Sequence, residues 1–296
     1  MKQELTSLDL FSGIGGFALA SEWAGIRTMG FAEINPYAAS ELKKNFPGVP
    51  NLGDVTKLCR RLYDCEPIDP ETGEANCPRC GVEFGECDCI GTDQFTDTYG
   101  FPDVIVGGVP CQPASLVGKR RGAADERWLW PDTLRIIGEL QPRFAILENP
   151  EAILSLDGGE RFRDILGTLA SLGYDVQWHV IPAAALGAGH RRKRVWILAS
   201  DADSAGLSRH AGHEQDGHKS RRKLTDSLRH SAAPDLRARE ITGPLWYHQS
   251  GIQPVVDGLP RGLAVEQITA IGNSLVPQLA HVWLRAIAQI ERGETA

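Results

Sequence analysis

The 296-residue chain is 42% hydrophobic and 23% charged, enough to bury one large core, or a large and a small one, which excludes a fibre or a disordered tail. Lys and Arg total 31 against 38 Asp and Glu, a net charge of −7, so the overall balance announces no polyanionic partner. No apolar run nears the roughly 18 residues of a membrane span, and the start, MKQELTSLDLFSG, lacks the apolar stretch of a secretory signal. The expectation is a soluble cytoplasmic protein with no membrane partner.

Residues 6–150 alternate short apolar runs with helix-like segments, the pattern of βα units around a mostly parallel sheet, so the expected fold class is α/β. SLDLF reads as a first strand and GGFALASEWAG as the helix after it, with Phe17, Leu19, Ala20 and Trp23 expected to face the sheet. Arg27 to Ile34 is a second strand, DVIVGG a later one and FAILE, Phe144 to Glu148, another. Residues 161–172 form an amphipathic helix ending at Gly173, followed by the strands VQWHVI and RVWILAS. The texture changes after Ser200. Residues 201–250 are rich in His, Arg, Ser, Gly and Asp without an apolar period, which places a boundary near 200. Helical periodicity returns in AIGNSLVPQLAHVWLRAIAQI, with Leu279, Val282, Trp283, Ala286, Ile287 and Ile290 on related faces. The expected division is a main α/β domain over 1–199 with a Cys-rich insertion at 59–99, a loop-rich region over 200–258, and a segment over 259–296 that packs back on the first domain.

Gly13, Gly15 and Ala18 satisfy G-x-G-x-x-G/A between a strand and a helix, where small residues let a ligand approach the backbone. Glu33, at the end of the next strand, is placed to accept hydrogen bonds from ribose hydroxyls. A nicotinamide dinucleotide and S-adenosylmethionine both present such a ribose, and a tight turn with no ligand has the same pattern. Cys111, in GGVPCQPAS, follows a strand directly, so its thiol stands at the carboxyl edge of the sheet as a nucleophile or an inert thiol. Glu148 ends a neighbouring strand in LENP and emerges at the same edge, or else is a surface carboxylate. Arg192 and Arg194, two apart before a strand, share one side, although such basic runs are commonly solvated faces.

Taken in order, DLFSGIGGF, FAEINPYA, GGVPCQPAS, ENP, RRKR before a strand and AIGNSLVPQ resemble the cytosine-C5 DNA methyltransferases, especially the small bacterial and phage members. The likeness covers nearly the whole chain apart from 59–99 and 201–257. It implies a Rossmann-like sheet with a small target-recognition region, and it favours S-adenosylmethionine as cofactor. It also implies duplex DNA as substrate and a flipped target cytosine. The resemblance makes Cys111 the nucleophile at C6, Glu148 the group that protonates or hydrogen-bonds N3, Arg194 a contact to the cytosine O2, and Arg192 an orienting or phosphate-binding residue. Cofactor contacts carry over to Phe11, Ser12, Gly13, Gly15, Gly16, Glu33, Ile34, Asp54, Val55, Pro110, Asn273 and Ser274. Ile34 departs from the frequent aromatic, and His190 from the frequent Gln. In the loop after the thiol, Gln112, Ser115, Lys119, Arg120 and Arg121 are the expected DNA contacts, the alternative being a solvated loop. One branch of the family acts on tRNA but carries a Cys-Phe-Thr element that is absent here. A catalytically silent binding relative is the other alternative, against which Cys111, Glu148 and Arg194 all speak. A monomer of bacterial or phage origin completes what the likeness implies, its alternatives being pairing with a cognate restriction endonuclease, an orphan role and phage self-protection.

The insertions carry their own signals. Residues 190–240 hold 12 Lys or Arg against 7 Asp or Glu, a local +5, plus five His, where the family places target recognition; the alternative is a basic linker. Cys77-x2-Cys80-x6-Cys87-x-Cys89 is compact enough for four thiolates to surround a structural Zn²⁺, with Cys65 as a substitute ligand and free reduced thiols as the alternative.

Overall fold

The computed structural model describes residues 4–58, 96, 98–111, 128–188, 192–201 and 275–293. The expected metal ligands Cys77, Cys80, Cys87 and Cys89 lie outside these residues. So do the DNA-contact set Gln112, Ser115, Lys119, Arg120 and Arg121, the tail pair Asn273 and Ser274, and the recognition region.

Six strands form one sheet: β1 (Thr6–Leu10), β2 (Arg27–Ala32), β3 (Val104–Gly108), β4 (Phe144–Pro150), β5 (Tyr174–Pro182) and β6 (Lys193–Asp201). Their spatial order is β2-β1-β3-β4-β6-β5. β1 runs parallel to β2 and β3, and β3 parallel to β4, whereas β6 is antiparallel to both β4 and β5. Helices cover both faces of the sheet, so the interior of the parallel strands is buried, the polar Ser7 and Asp9 included. All five residues of β1 are buried. β6 extends to Asp201, past the expected domain limit at 199.

One face packs against α3 (Trp130–Leu140) and α4 (Glu160–Ser171). Leu8, Leu10, Ile105, Ala145, Leu147 and Ile197 meet Trp130, Ile136, Phe162, Ile165 and Leu169 there. The opposite face packs against α1 (Gly16–Ala24) and α5 (Pro277–Arg292), where Val104, Val106, Phe144, Ile146, Trp196 and Leu198 meet Phe17, Ala20, Trp283, Leu284 and Ile287. A further helix, α2 (Pro36–Asn45), is started by Asn35, whose side chain accepts from the Ala38 N–H, and by Pro36 in its first turn.

Two expected helix faces shift. Phe17 and Ala20 of α1 do face the sheet, but Leu19 and Trp23 are only partly buried, and the Trp23 ring meets His281 of α5 edge-on at 5.8 Å. In α5 the buried stripe is Leu279, Ala280, Trp283, Leu284, Ile287 and Ala288, so Val282, Ala286 and Ile290 give way to Ala280, Leu284 and Ala288. The cause is that α5 lies against α1 as well as against the sheet, which rotates its buried centre toward the angle between them.

The strand order reverses at β1, which has β2 on one side and β3 on the other. The crevice above the carboxyl ends of β1 and β3 is therefore where an α/β sheet of this kind takes its ligand. At the opposite ends of these strands, Asp103 Oδ2 accepts from the Thr6 backbone N–H at 2.9 Å and from its hydroxyl at 3.0 Å.

Candidate active site

A cavity of about 400 Å³ opens at that reversal point. The turn after β1 forms its floor. Phe11, at φ 57°, occupies the left-handed region, a strain of about 1 kcal/mol or more for a non-glycine residue. The turn is held by the Ala32 carbonyl, which accepts from the Phe11 N–H at 2.9 Å. Gly15 starts α1 at φ 92°, and a Cβ there would lie 2.4 Å from Phe46 Cε2, so no other residue fits without displacement of that ring.

Glu33 stands just beyond β2. Its Oε2 accepts from the Gly13 N–H and its Oε1 from the Asn35 N–H, each at 2.7 Å. The carboxylate is thereby fixed across the mouth of the turn with lone pairs to spare for hydroxyl donors. Ile34, 69% exposed, gives that mouth an apolar lip, and Gly53, Asp54 and Val55 form the facing wall. Asp54 Oδ1 caps a short 3₁₀ turn by accepting from the Thr56 N–H at 2.8 Å.

At the other end of the same cavity lie Pro110, Cys111, Glu148, Arg192 and Arg194. Their convergence follows from the topology. β3 and β4 end at this edge, and β6, being antiparallel, begins there. Register places Pro150 beside Arg194 and Glu148 beside Trp196. Glu148 and Arg194 are thus diagonal neighbours on one face, and Arg194 Nε lies 2.7 Å from Glu148 Oε1. Burial pushes the Glu148 carboxyl above the usual range, opposed by the charges of Arg194 and Arg192 and by the hydrogen bond from Arg194. Burial, and then repulsion from Arg194, pulls the Arg192 guanidinium below the usual arginine value, against the attraction of Glu148.

Cys111 is 7% exposed, three residues past the end of β3, in a stretch indexed to β4 at two points. The Val109 N–H donates to the Glu148 carbonyl at 3.1 Å, and the fully buried Asn149 donates through Nδ2 to the Val109 carbonyl at 2.7 Å. The thiol-bearing loop and the carboxyl are consequently registered to each other through the backbone. A buried carboxyl beside two guanidiniums, in one cavity with a thiol, has the groups needed to add a nucleophile to an electron-poor ring and to place a proton on that ring's nitrogen.

Of the residues expected from sequence, Phe11, Gly13, Glu33, Ile34, Asp54, Val55, Pro110, Cys111, Glu148, Arg192 and Arg194 all line this one cavity. Ser12, Gly15 and Gly16 sit behind it: the Ser12 hydroxyl donates to the Asp9 carbonyl at 2.6 Å, and a Cβ on Gly16 would stand 3.2 Å from the Leu275 side chain. Sequence reasoning missed Asn35, Leu129 and Asn149. Asn35 had a visible signal as a helix cap before proline. Leu129 reaches the cavity through tertiary packing alone.

Fold and site together define a Rossmann-like domain with one cavity that runs from the glycine turn to Cys111 at the carboxyl edge of the sheet. Residues 5–70 and 71–253 match the profile of the C-5 cytosine-specific DNA methylases, and the chain belongs to that family. It is 35% identical over 201 residues, 68% of its length, to the type II methyltransferase M.BsuFI of Bacillus subtilis, of which it covers 40%. With M.NgoMIV of Neisseria gonorrhoeae it shares 32% identity over 66% of its length, covering 52% of that protein. The chain thus spans about half or less of the length of these curated relatives. A DNMT2 mutant structure from Spodoptera frugiperda superposes with a TM-score of 0.54 at 15% identity, covering 95% of this chain and 98% of that one, which shows a shared fold.

Proposed function

We propose that the chain is a DNA (cytosine-5-)-methyltransferase, EC 2.1.1.37, acting on a cytosine flipped out of duplex DNA. The observation that carries this reading is the continuity of the cavity, from the glycine turn and Glu33 to Cys111, Glu148 and Arg194. Its size lies within the range of a nucleoside-type ligand site. The fixed Glu33 carboxylate fits a ribose diol, and the Ile34 lip and Val55 fit an adenine ring.

S-adenosylmethionine, held by these residues, would supply an electrophilic methyl group beside the thiol. The Cys111 thiolate adds to C6 of the cytosine, and electron density moves toward N3, where Glu148 delivers a proton. C5 thereby gains the nucleophilic character that an unactivated pyrimidine lacks. Arg194 orients the Glu148 carboxyl and donates to the O2 carbonyl, and Arg192 adds positive charge where the ring accumulates electrons. After alkylation a water molecule takes the C5 proton, the freed electron pair reforms the C5–C6 double bond and expels the thiolate, and N3 returns its proton to the Glu148 carboxylate, which restores the enzyme. Because C5 and C6 cannot be reached inside the helix, the base must leave the stack, at a cost of a few kcal/mol.

A duplex carrying 5-fluorocytosine at the target site tests the assignment, because fluorine at C5 cannot leave as a proton and the adduct persists. Wild-type protein should form a complex stable to denaturant, whereas Cys111→Ala should form none; trapping by the variant would refute the nucleophile. Equal methyl transfer to tRNA would instead favour the RNA branch. The reading extends to a cytoplasmic monomer paired with a restriction endonuclease of the same specificity, supported by the type II names of the relatives. Mapping methylated cytosines after expression in an unmethylated host identifies the sequence to compare. The reading includes a structural Zn²⁺ on Cys77, Cys80, Cys87 and Cys89, supported by their spacing. Near-stoichiometric zinc in protein purified without chelators is expected.

A further inference from the structure

The half of the cavity remote from Cys111 is walled by two short segments, the end of β2 at Glu33 and the Gly53–Val55 turn. Asn51 joins them. Its Oδ1 accepts from the backbone N–H of Glu33 and from that of Gly53, both at 3.1 Å, while its Nδ2 donates to the Glu33 carbonyl at 2.9 Å. A side-chain amide carries the same donor and acceptor as a peptide group, so Asn51 grips Glu33 as a neighbouring strand would. The main chain beside it does the same one step earlier. The Phe31 N–H donates to the Pro50 carbonyl at 2.9 Å, and the Leu52 N–H to the Phe31 carbonyl at 2.7 Å, around a parallel bridge between Phe31 and Asn51.

The orientation of Glu33 therefore has two anchors. Its carboxylate is held by the Gly13 and Asn35 N–H groups, and its backbone by the Asn51 amide. Asn51 does not line the cavity, and its oxygen is committed to two main-chain donors, so it acts through Glu33 and Gly53. We infer that Asn51 is a positioning residue for cofactor binding, which locks the ribose-facing carboxylate and the opposite adenine-facing wall into one rigid unit. The inference rests on the reading of this cavity as the S-adenosylmethionine site.

Asn51 is exposed, so water replaces its contacts in a truncated variant and the fold survives. Asn51→Ala and Asn51→Asp would be compared with wild type in the full chain by calorimetric titration with S-adenosylhomocysteine, by steady-state kinetics and by melting temperature. In Asn51→Ala, affinity for S-adenosylhomocysteine should fall about tenfold, the scale of one net hydrogen bond. The cofactor KM should rise in parallel, with kcat at saturating cofactor and the KM for DNA held within about twofold, as expected when only ground-state binding is lost. Asn51→Asp keeps both acceptor contacts but cannot donate to the Glu33 carbonyl, and should fall between the two. Wild-type affinity in Asn51→Ala would overturn the inference, as would a parallel loss in kcat, DNA affinity and melting temperature. Failure of folded wild-type protein to bind S-adenosylhomocysteine would instead overturn the cofactor reading itself, and the role of Asn51 with it.

Discussion

At Glu148, burial and two guanidiniums pull in opposite directions, and burial prevails. A carboxyl raised in this way stays protonated at pH values where an ordinary glutamate is ionised, as a proton donor to N3 requires. The rate of adduct formation should fall as pH rises through this elevated value. Glu148→Gln should lose that alkaline limb and run about 100-fold or more slower, read by single-turnover trapping across a pH series. An unchanged limb in the variant would assign it to another group. Asp9 poses a related question of stability. It is fully buried under the glycine turn, and burial first, then the Glu33 charge, raises its carboxyl well above the usual value against the opposing Ala18 N–H. The native state thus binds this proton more tightly than the unfolded chain, so the group favours folding at acid pH and this contribution is lost as pH climbs from the ordinary carboxylate value through the raised one. Asp9→Asn should match wild type in melting temperature near pH 4 and exceed it progressively toward pH 8. Asp9 was absent from the sequence reading because an acid in an apolar strand shows its burial only once both faces are covered. Cys111 and Glu148 were legible because strand-end motifs betray their edge, whereas Asn149 and Asn51 act on main-chain atoms 40 and 18 positions away.

The strands were legible as elements for a simple reason: a strand covered on both faces carries an apolar run, as in VIV of β3, FAIL of β4 and VWILA of β6, although β1 holds the buried polar residues Ser7 and Asp9 beside its leucines. Their order was less so. Nothing local to RVWILAS says that it inserts antiparallel between β4 and β5, yet that insertion turns Arg194 toward Glu148. Likewise, periodicity identified α5 but not the angle at which it sits between sheet and α1. The closeness of β1 and β3 below the cavity is itself exacting. A Cβ on Gly107 would stand 3.1 Å from the Leu10 carbonyl oxygen and 3.4 Å from Leu10 Cβ, contacts with the neighbouring strand that cannot swing aside. Gly107→Ala should force these strands apart where the cavity opens, costing about 1–3 kcal/mol by chemical denaturation. S-adenosylhomocysteine binding should weaken with it. Full stability in this variant would mean that the sheet yields more readily than its packing implies.

For the whole molecule, the net charge of −7 averages a +5 stretch over 190–240 with a −12 remainder. If that stretch meets phosphates, as its place in the family likeness implies, non-specific duplex affinity should fall with salt at a logarithmic slope of about −4 to −5, following the number of neutralised contacts. Anisotropy titrations between about 50 and 200 mM salt measure it, and a slope near zero would remove this segment from the DNA interface. The placement of α5 has a consequence for how the protein is made. That helix covers the sheet face bearing Val104, Val106, Phe144, Ile146, Trp196 and Leu198, although it lies far downstream of them in the chain. A ribosome that has finished β6 must still translate roughly ninety residues, about 5–20 s of elongation, before α5 exists to close that face. Until then the sheet face bearing Phe144 and Trp196 lacks its α5 cover, so this half of the core closes late in synthesis.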